Sequence, residues 1–262
     1  MVNPGAMVNP GATVNPGAMV NPGATVNPGA MVRPGAMVNR GAMARTANRA
    51  RTDRAAETRE LILAAAERLF AEHGLANVSN RQVGEAAGQG NNTAVGYHFG
   101  AKADLVRAIV RKHSAQTERI RERLLARHGT STDLRDWVAC LVRPLPEHLA
   151  TLGAPTWYAR FAVQVMTDPV LSDIVVDDAL TTPALVRTVD GLNRCLPALP
   201  PAVRLERGAM ARILLMHTCA EHERALADGS PTARATWQET ASGLTDAIVG
   251  LLLTPVTPVP RD

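Results

Sequence analysis

The side chains Asn91, Asn92 and Thr93 follow the break Gly88-Gln89-Gly90 and precede Tyr97 and His98. Asparagine can bond bidentately to an adenine edge and the threonine methyl can meet a thymine methyl, so this run has residue types suited to base readout in a major groove. Asn91 is equally suited to capping a helix, the commonest use of asparagine at a helix start. Arg81 lies before the run and Lys102 after it, both at expected helix starts from which phosphates are commonly contacted; solvated surface charge is the alternative use. Arg45, Arg49, Arg51 and Arg54 are expected to form an arm ahead of the first helix. Such an arm reaches into a minor groove or simply attracts a polyanion.

These side chains need rigid elements to carry them. Over residues 53–73, Leu61, Ile62, Ala65, Ala66, Leu69 and Phe70 recur at spacings of three and four with charged residues between them, which predicts an amphipathic helix. Gly74 follows as its stop. Ser79 and Gln82 have the spacing of a capping box and start a short helix over about 80–87. The glycine break ends it, and Asn91 is read as the cap of a third helix running to about His98. Two short helices about a glycine-containing turn predict a helix-turn-helix.

This stretch resembles the tetracycline-repressor family of bacterial transcription regulators. The resemblance rests on Thr58-Arg59-Glu60, Ile62-Leu63, Ala65-Ala66, Leu69-Phe70-Ala71-Glu72-His73-Gly74, Ser79, Arg81, Val83, Ala87-Gly88, His98-Phe99-Gly100, Lys102 and Leu105. It covers about fifty residues. The turn is one residue longer than the common family pattern, so the family's phosphate-contacting tyrosine position falls on Gly96 and Tyr97 comes next. The resemblance implies an all-α chain, with an N-terminal three-helix DNA-binding domain followed by a larger helical domain for effector binding and dimerisation. It implies DNA contacts from Arg81, Asn91, Asn92, Thr93, Tyr97, His98 and Lys102. The expected domains are 44–100 for the head, 101–254 for the body and 255–262 for a proline-rich tail.

Ahead of the head, residues 2–43 are seven copies of the unit Val-Asn-Pro-Gly-Ala-Met/Thr, with Arg33 and Arg40 as the main variations. One valine per unit cannot build a core, so residues 1–43 are expected to be disordered, with Met43 the expected natural start and Met37 or Met31 the alternatives.

Further helices are expected near 101–128, 133–150, 156–167, 170–195, 201–228 and 232–253, with Pro144, Pro146 and Pro183 interrupting them. By the resemblance, 201–228 and 232–253 pair with their copies in a homodimer; an intramolecular core is the competing use of their apolar faces. A small effector is then expected among the middle helices, lined by Trp137, Trp157, Tyr158, Arg160, Phe161 and Gln164; ordinary core packing is the alternative. His217, Cys219, Glu221 and His222 do not converge on one helix face, so no metal or other cofactor is expected.

Composition narrows the classes further. The 262 residues are 46% hydrophobic and only 3% aromatic, which argues against a single-strand stacking platform or a sugar groove. The charge is uneven: residues 44–130 carry 15 basic and 9 acidic side chains, whereas 131–262 carry 11 and 15. A basic segment joined to an acidic one suggests that the first meets phosphate. No apolar run is long enough for a membrane span, and the three cysteines without a CxxC pair fit a reducing cytoplasm. No nucleophile and base pattern, phosphate loop or metal motif supports an enzyme. The expectation is a DNA-binding regulator, most simply a repressor released by an effector. The alternative is an effector-free protein that uses DNA as a platform.

Overall fold

The computed structural model describes residues 38–90 and 93–257. The chain divides into two units, Met1–Arg49 and Ala50–Asp262. Of the first, the described part is the beginning of helix α1, Val38–His73. The helix therefore starts ahead of the expected 53–73, and the expected tail boundary at residue 43 falls inside it. Residues 44–60 contain alanine and arginine in abundance and neither glycine nor proline, so nothing there stops a helix. Arg45, Arg49, Arg51 and Arg54 are consequently exposed on a helix, which corrects the expected arm. The repeats at residues 1–37 lie outside the described residues, as do residues 258–262 of the expected tail.

In the second unit, α1 ends where Gly74 takes φ +92° and its amide bonds the Phe70 carbonyl at 3.0 Å. This left-handed conformation is easy only for glycine. Helix α2, Asn80–Ala86, starts on the expected capping box: Ser79 Oγ accepts from the Gln82 amide at 3.3 Å, and Gln82 Oε1 accepts from the Ser79 amide at 2.8 Å. Helix α3 is Ala94–Phe99 and begins at Thr93. The cap thus falls two residues beyond Asn91. Gly100, at φ +76°, closes α3 and leads into α4, Lys102–His128. Ile62, Ala66, Phe70, Val83, Val95 and Phe99 form the buried centre of the head, continuous with Leu105 and Ile109 on α4.

The body comprises α5 (Leu134–Val142), α6 (Pro144–Leu152), α7 (Tyr158–Thr167), α8 (Ser172–Ala179), α9 (Pro183–Cys195), α10 (Pro201–Ala227) and α11 (Trp237–Leu253). The regions expected as single helices at 133–150 and 170–195 are each divided. Pro144 and Pro183 open α6 and α9 at the first turn, where a missing amide proton costs nothing. α4 packs against α5, α6, α8 and α9, and α10 runs along α7 and α11. No strand occurs among the described residues.

α5 and α9 approach closely at Gly191, where a Cβ would overlap the Cε3, Cζ3 and Cη2 atoms of Trp137. That ring cannot easily withdraw, because its Nε1 donates to the Ser131 carbonyl at 2.9 Å and the Arg194 guanidinium lies 5.4 Å from its centroid. Gly191→Ala is expected to cost about 1–3 kcal/mol by overpacking, read as a lower urea midpoint. An unchanged midpoint would show that the contact yields.

Candidate nucleic-acid interface and ligand cavity

The presentation of α3 follows from two anchors. Val95 and Phe99 are buried in the head, against Val83 of α2 among others. From α1, Arg59 Nη1 donates to the His98 carbonyl at 3.1 Å while its guanidinium lies 4.1 Å from the Phe99 centroid. The opposite side of α3 faces outward: Thr93 and Gly96 are exposed, and Tyr97 is 86% exposed. Tyr97 therefore presents its ring to solvent from a helix that Arg59 holds against α1.

The other expected interface residues are placed differently. Arg49 and Arg51 are exposed on α1, and Arg81 is exposed with its Nη1 at 3.0 Å from Glu85 one turn along α2. Asn91 and Asn92 lie outside the described residues. His98 is half-buried, with its ring edge-on to Tyr97. Lys102 is also half-buried. Its Nζ donates to the Leu75 carbonyl at 2.6 Å and lies 5.8 Å from the Phe70 centroid, so it ties α4 to the end of α1 rather than pointing at solvent.

The body contains a cavity of about 810 Å³ among α4 to α10, reaching Leu252 of α11. Val110, Leu145, Ala162, Leu185 and Leu215 represent its mainly aliphatic lining. Of the six residues expected there, Tyr158 alone belongs to the lining. Trp137 packs on Gly191, Phe161 stacks on Phe70 at 6.1 Å, and Trp157 Nε1 donates to Glu72 at 3.3 Å. Arg160 pairs through Nε with the buried Glu223 at 3.2 Å. Gln164 joins body to head: its Oε1 accepts from the Leu75 amide at 3.1 Å and its Nε2 donates to the Ala71 carbonyl at 3.3 Å. These are uses in packing and connection, decided by which face of α7 meets the end of α1.

A buried polar chain, not anticipated from sequence, runs between the head and the cavity. Glu67 of α1 lies 2.8 Å from His113 Nε2, and His113 Nδ1 lies 2.7 Å from His148 Nε2 of α6. The chain is satisfied when His113 donates to Glu67 and a neutral His148 donates to His113. Burial, followed by the neighbouring His113 and Lys112, lowers the His148 pKa to about 4. Tyr158 stacks on His113 with centroids 3.8 Å apart. Burial, reinforced by the Glu67 carboxylate, raises the Tyr158 pKa, which keeps its phenol protonated. The signal was present in the sequence: His113 continues the spacing of Leu105 and Ile109 along the apolar stripe of α4, where a polar side chain must find a partner.

The two buried thiols, Cys140 and Cys219, offer little reactivity. Burial, with Asp136 next, pushes the Cys140 thiol up to about 11, and burial with Glu223 raises Cys219 further. Among the described residues no group of three His, Cys, Asp or Glu converges as a metal site. No helix among them is long and apolar enough to cross a membrane.

Residues 62–109 match the family model of bacterial regulatory proteins, tetR family. The head of the chain resembles that family. Similar solved structures include a putative tetR-family transcriptional regulator from Mesorhizobium loti, at 16% identity over 76% of this chain and 96% of that one, with a TM-score of 0.48. The tetR-like regulator LfrR from Mycobacterium smegmatis, solved with proflavine, is 22% identical over 78% of this chain and 99% of its own, with a TM-score of 0.43. PfmR from Thermus thermophilus is 18% identical over 73% and 96%, with a TM-score of 0.45. No curated protein matches the chain. The matched residues run from the middle of α1 through α2 and α3 into α4, the segment that contains the exposed face of α3.

Proposed function

We propose that this chain is a cytoplasmic, homodimeric regulator of transcription that binds operator DNA through its tetR-family head and is released when a small molecule occupies the body. The observation that carries the reading is the outward face of α3, with Tyr97 86% exposed on a helix that Arg59 clamps to α1. α3 enters the major groove, with Thr93 and the preceding Asn91 and Asn92 at the base edges. Tyr97, His98, Arg81, Arg49 and Arg51 serve the backbone.

Dimerisation is supported by Met210, Ile213 and Leu214 on α10, which are 44%, 50% and 36% exposed. Next to them α11 presents Ser242, Ala247 and Gly250, small exposed residues that permit close helix approach. The expected ranges 201–228 and 232–253 correspond to α10 and α11, which are the proposed interface. Effector response is supported by continuity of contact: Tyr158 lines the cavity and stacks on His113, which bonds Glu67 of the head. A ligand that fits the cavity better in one head arrangement than in another shifts the population between them.

The test is enrichment of random duplexes by the full chain. The expected product is a pair of related half-sites about one helical turn, roughly 34 Å, apart. Tyr97→Ala is expected to weaken binding to the enriched duplex by about tenfold or more, the loss of one good DNA contact in each half of a dimer. A pool that stays random after repeated selection would overturn the reading and favour the platform alternative.

A further inference from the structure

We propose that the body cavity takes an amphipathic monoanion, whose acidic head meets Arg121 while its apolar tail lies along the aliphatic lining. This deepens the effector half of the proposed function and rests on it. The cavity lining contains Arg121, Arg204 and Arg212 and neither aspartate nor glutamate. Arg121 is the informative member. It projects from α4 in register with the buried Val110 and Ser114, is only 8% exposed, and burial lowers its pKa against the opposing pull of Glu118.

The Arg121 guanidinium is only partly satisfied. Nη1 donates to Glu118 Oε2 at 3.1 Å, while the buried Nε has no hydrogen-bond partner among the described residues. The other Glu118 oxygen accepts from the Ala184 amide at the start of α9. Glu118 is thus engaged on both sides, and a cavity-lining arginine keeps a buried guanidinium N–H without a partner among the described residues. Such a donor is costly to leave unmade and bonds most strongly to an anionic oxygen.

Charge selects the sign of the ligand. Arg212 is half-buried and Arg204 exposed, and neither forms an ion pair among the described residues. A lipophilic cation entering this space would meet three guanidinium groups and one carboxylate already in use. A neutral amphiphile would accept a hydrogen bond from the Arg121 guanidinium without offsetting that charge. A carboxylate, sulfate or similar single negative head does both, and a cavity of about 810 Å³ leaves room for a long tail.

The experiment uses three probes with one tail and different heads: dodecanoate, dodecanol and dodecyltrimethylammonium. Their binding to the full chain is measured by equilibrium dialysis below micelle-forming concentrations. Dodecanoate is expected to bind about tenfold tighter or more than either other probe, the order expected from one charge-assisted hydrogen bond. The paired change Arg121→Gln with Glu118→Gln, which leaves no uncompensated carboxylate, is expected to abolish that preference while dodecanol binding persists. Should the pair fail to fold by circular dichroism, Arg204→Gln with Arg212→Gln tests the same field from the rim and is expected to reduce the preference severalfold. Equal binding of dodecanoate and dodecanol, or preference for the cation, overturns the proposal but leaves a ligand-receiving body. Undiminished preference in the folded Arg121 pair, or in the rim pair where that is the one tested, also overturns it. Binding of none of the three removes the effector reading as well.

Discussion

Glu223→Ala is expected to lower the global stability by about 3–5 kcal/mol, because it leaves an uncompensated buried charge and open backbone donors. Glu223 is 1% exposed on α10 and stands at the start of α7. One oxygen accepts from the Ala159 amide at 3.2 Å; the other accepts from the Arg160 amide at 3.0 Å and from Arg160 Nε at 3.2 Å. A single carboxylate therefore satisfies two amides at a helix N-terminus, where the backbone dipole also favours negative charge, and pairs with a guanidinium. Removing it strands all three donors and opens a void along the α7–α10 contact. Glu223→Gln keeps an acceptor for one amide and should lose less. Urea unfolding of the three proteins, compared by midpoint and slope, gives the order directly. A Glu223→Ala midpoint close to the parent's would mean that water replaces the carboxylate at this junction.

The second large effect is a loss of stability in acid. His148 titrates near 4 in the fold against about 6.5 in an unfolded chain. Between those values the unfolded state binds the extra proton, so stability rises with pH across that window. The contribution is complete above about 6.5 and is lost as the pH falls toward about 4. On lowering the pH from about 7 to about 5 the loss amounts to about 2 kcal/mol. His148 faces His113 and Lys112 together with Tyr158, and His113 is in turn bonded to Glu67. Protonation puts a cation into that cluster. His222, whose pKa burial also lowers, has the same sign. The His148 part is therefore isolated by comparing the parent with His148→Asn. The variant should be less stable at neutral pH but flatter between the two pH values; parallel curves would remove His148 as the titrating group.

What could be read from sequence was what depends on near neighbours along the chain. Gly74, the Ser79 and Gln82 pair, Pro144 and Pro183 set helix ends through backbone conformation or a missing proton, and the structure uses each locally. The resemblance of the head to the tetR family was legible because the matching residues lie close together in the chain. The beginning of α3 was less so, since Asn91 and Thr93 are both residue types that open helices, and the helix starts after Thr93.

The cavity lining was not legible because it depends on convergence of distant helices. Bulky Trp137 and Phe161 suggested a pocket, yet each fills a gap between neighbouring elements, at Gly191 and at Phe70. The space itself is bounded largely by aliphatic residues from α9 and α10, which resemble any amphipathic face in the sequence. His113 and Arg121 were the available clue. Both interrupt the buried side of α4, and both prove to be polar groups with buried surroundings.

The most direct measurement of DNA recognition is the affinity of the full chain, titrated with salt, for an enriched duplex and for a shuffled duplex of equal composition. Expected is a preference of about a thousandfold or more at physiological salt, with binding to the shuffled duplex falling steeply as salt rises. Equal affinity for the two duplexes at every salt concentration would contradict sequence-specific reading by α3.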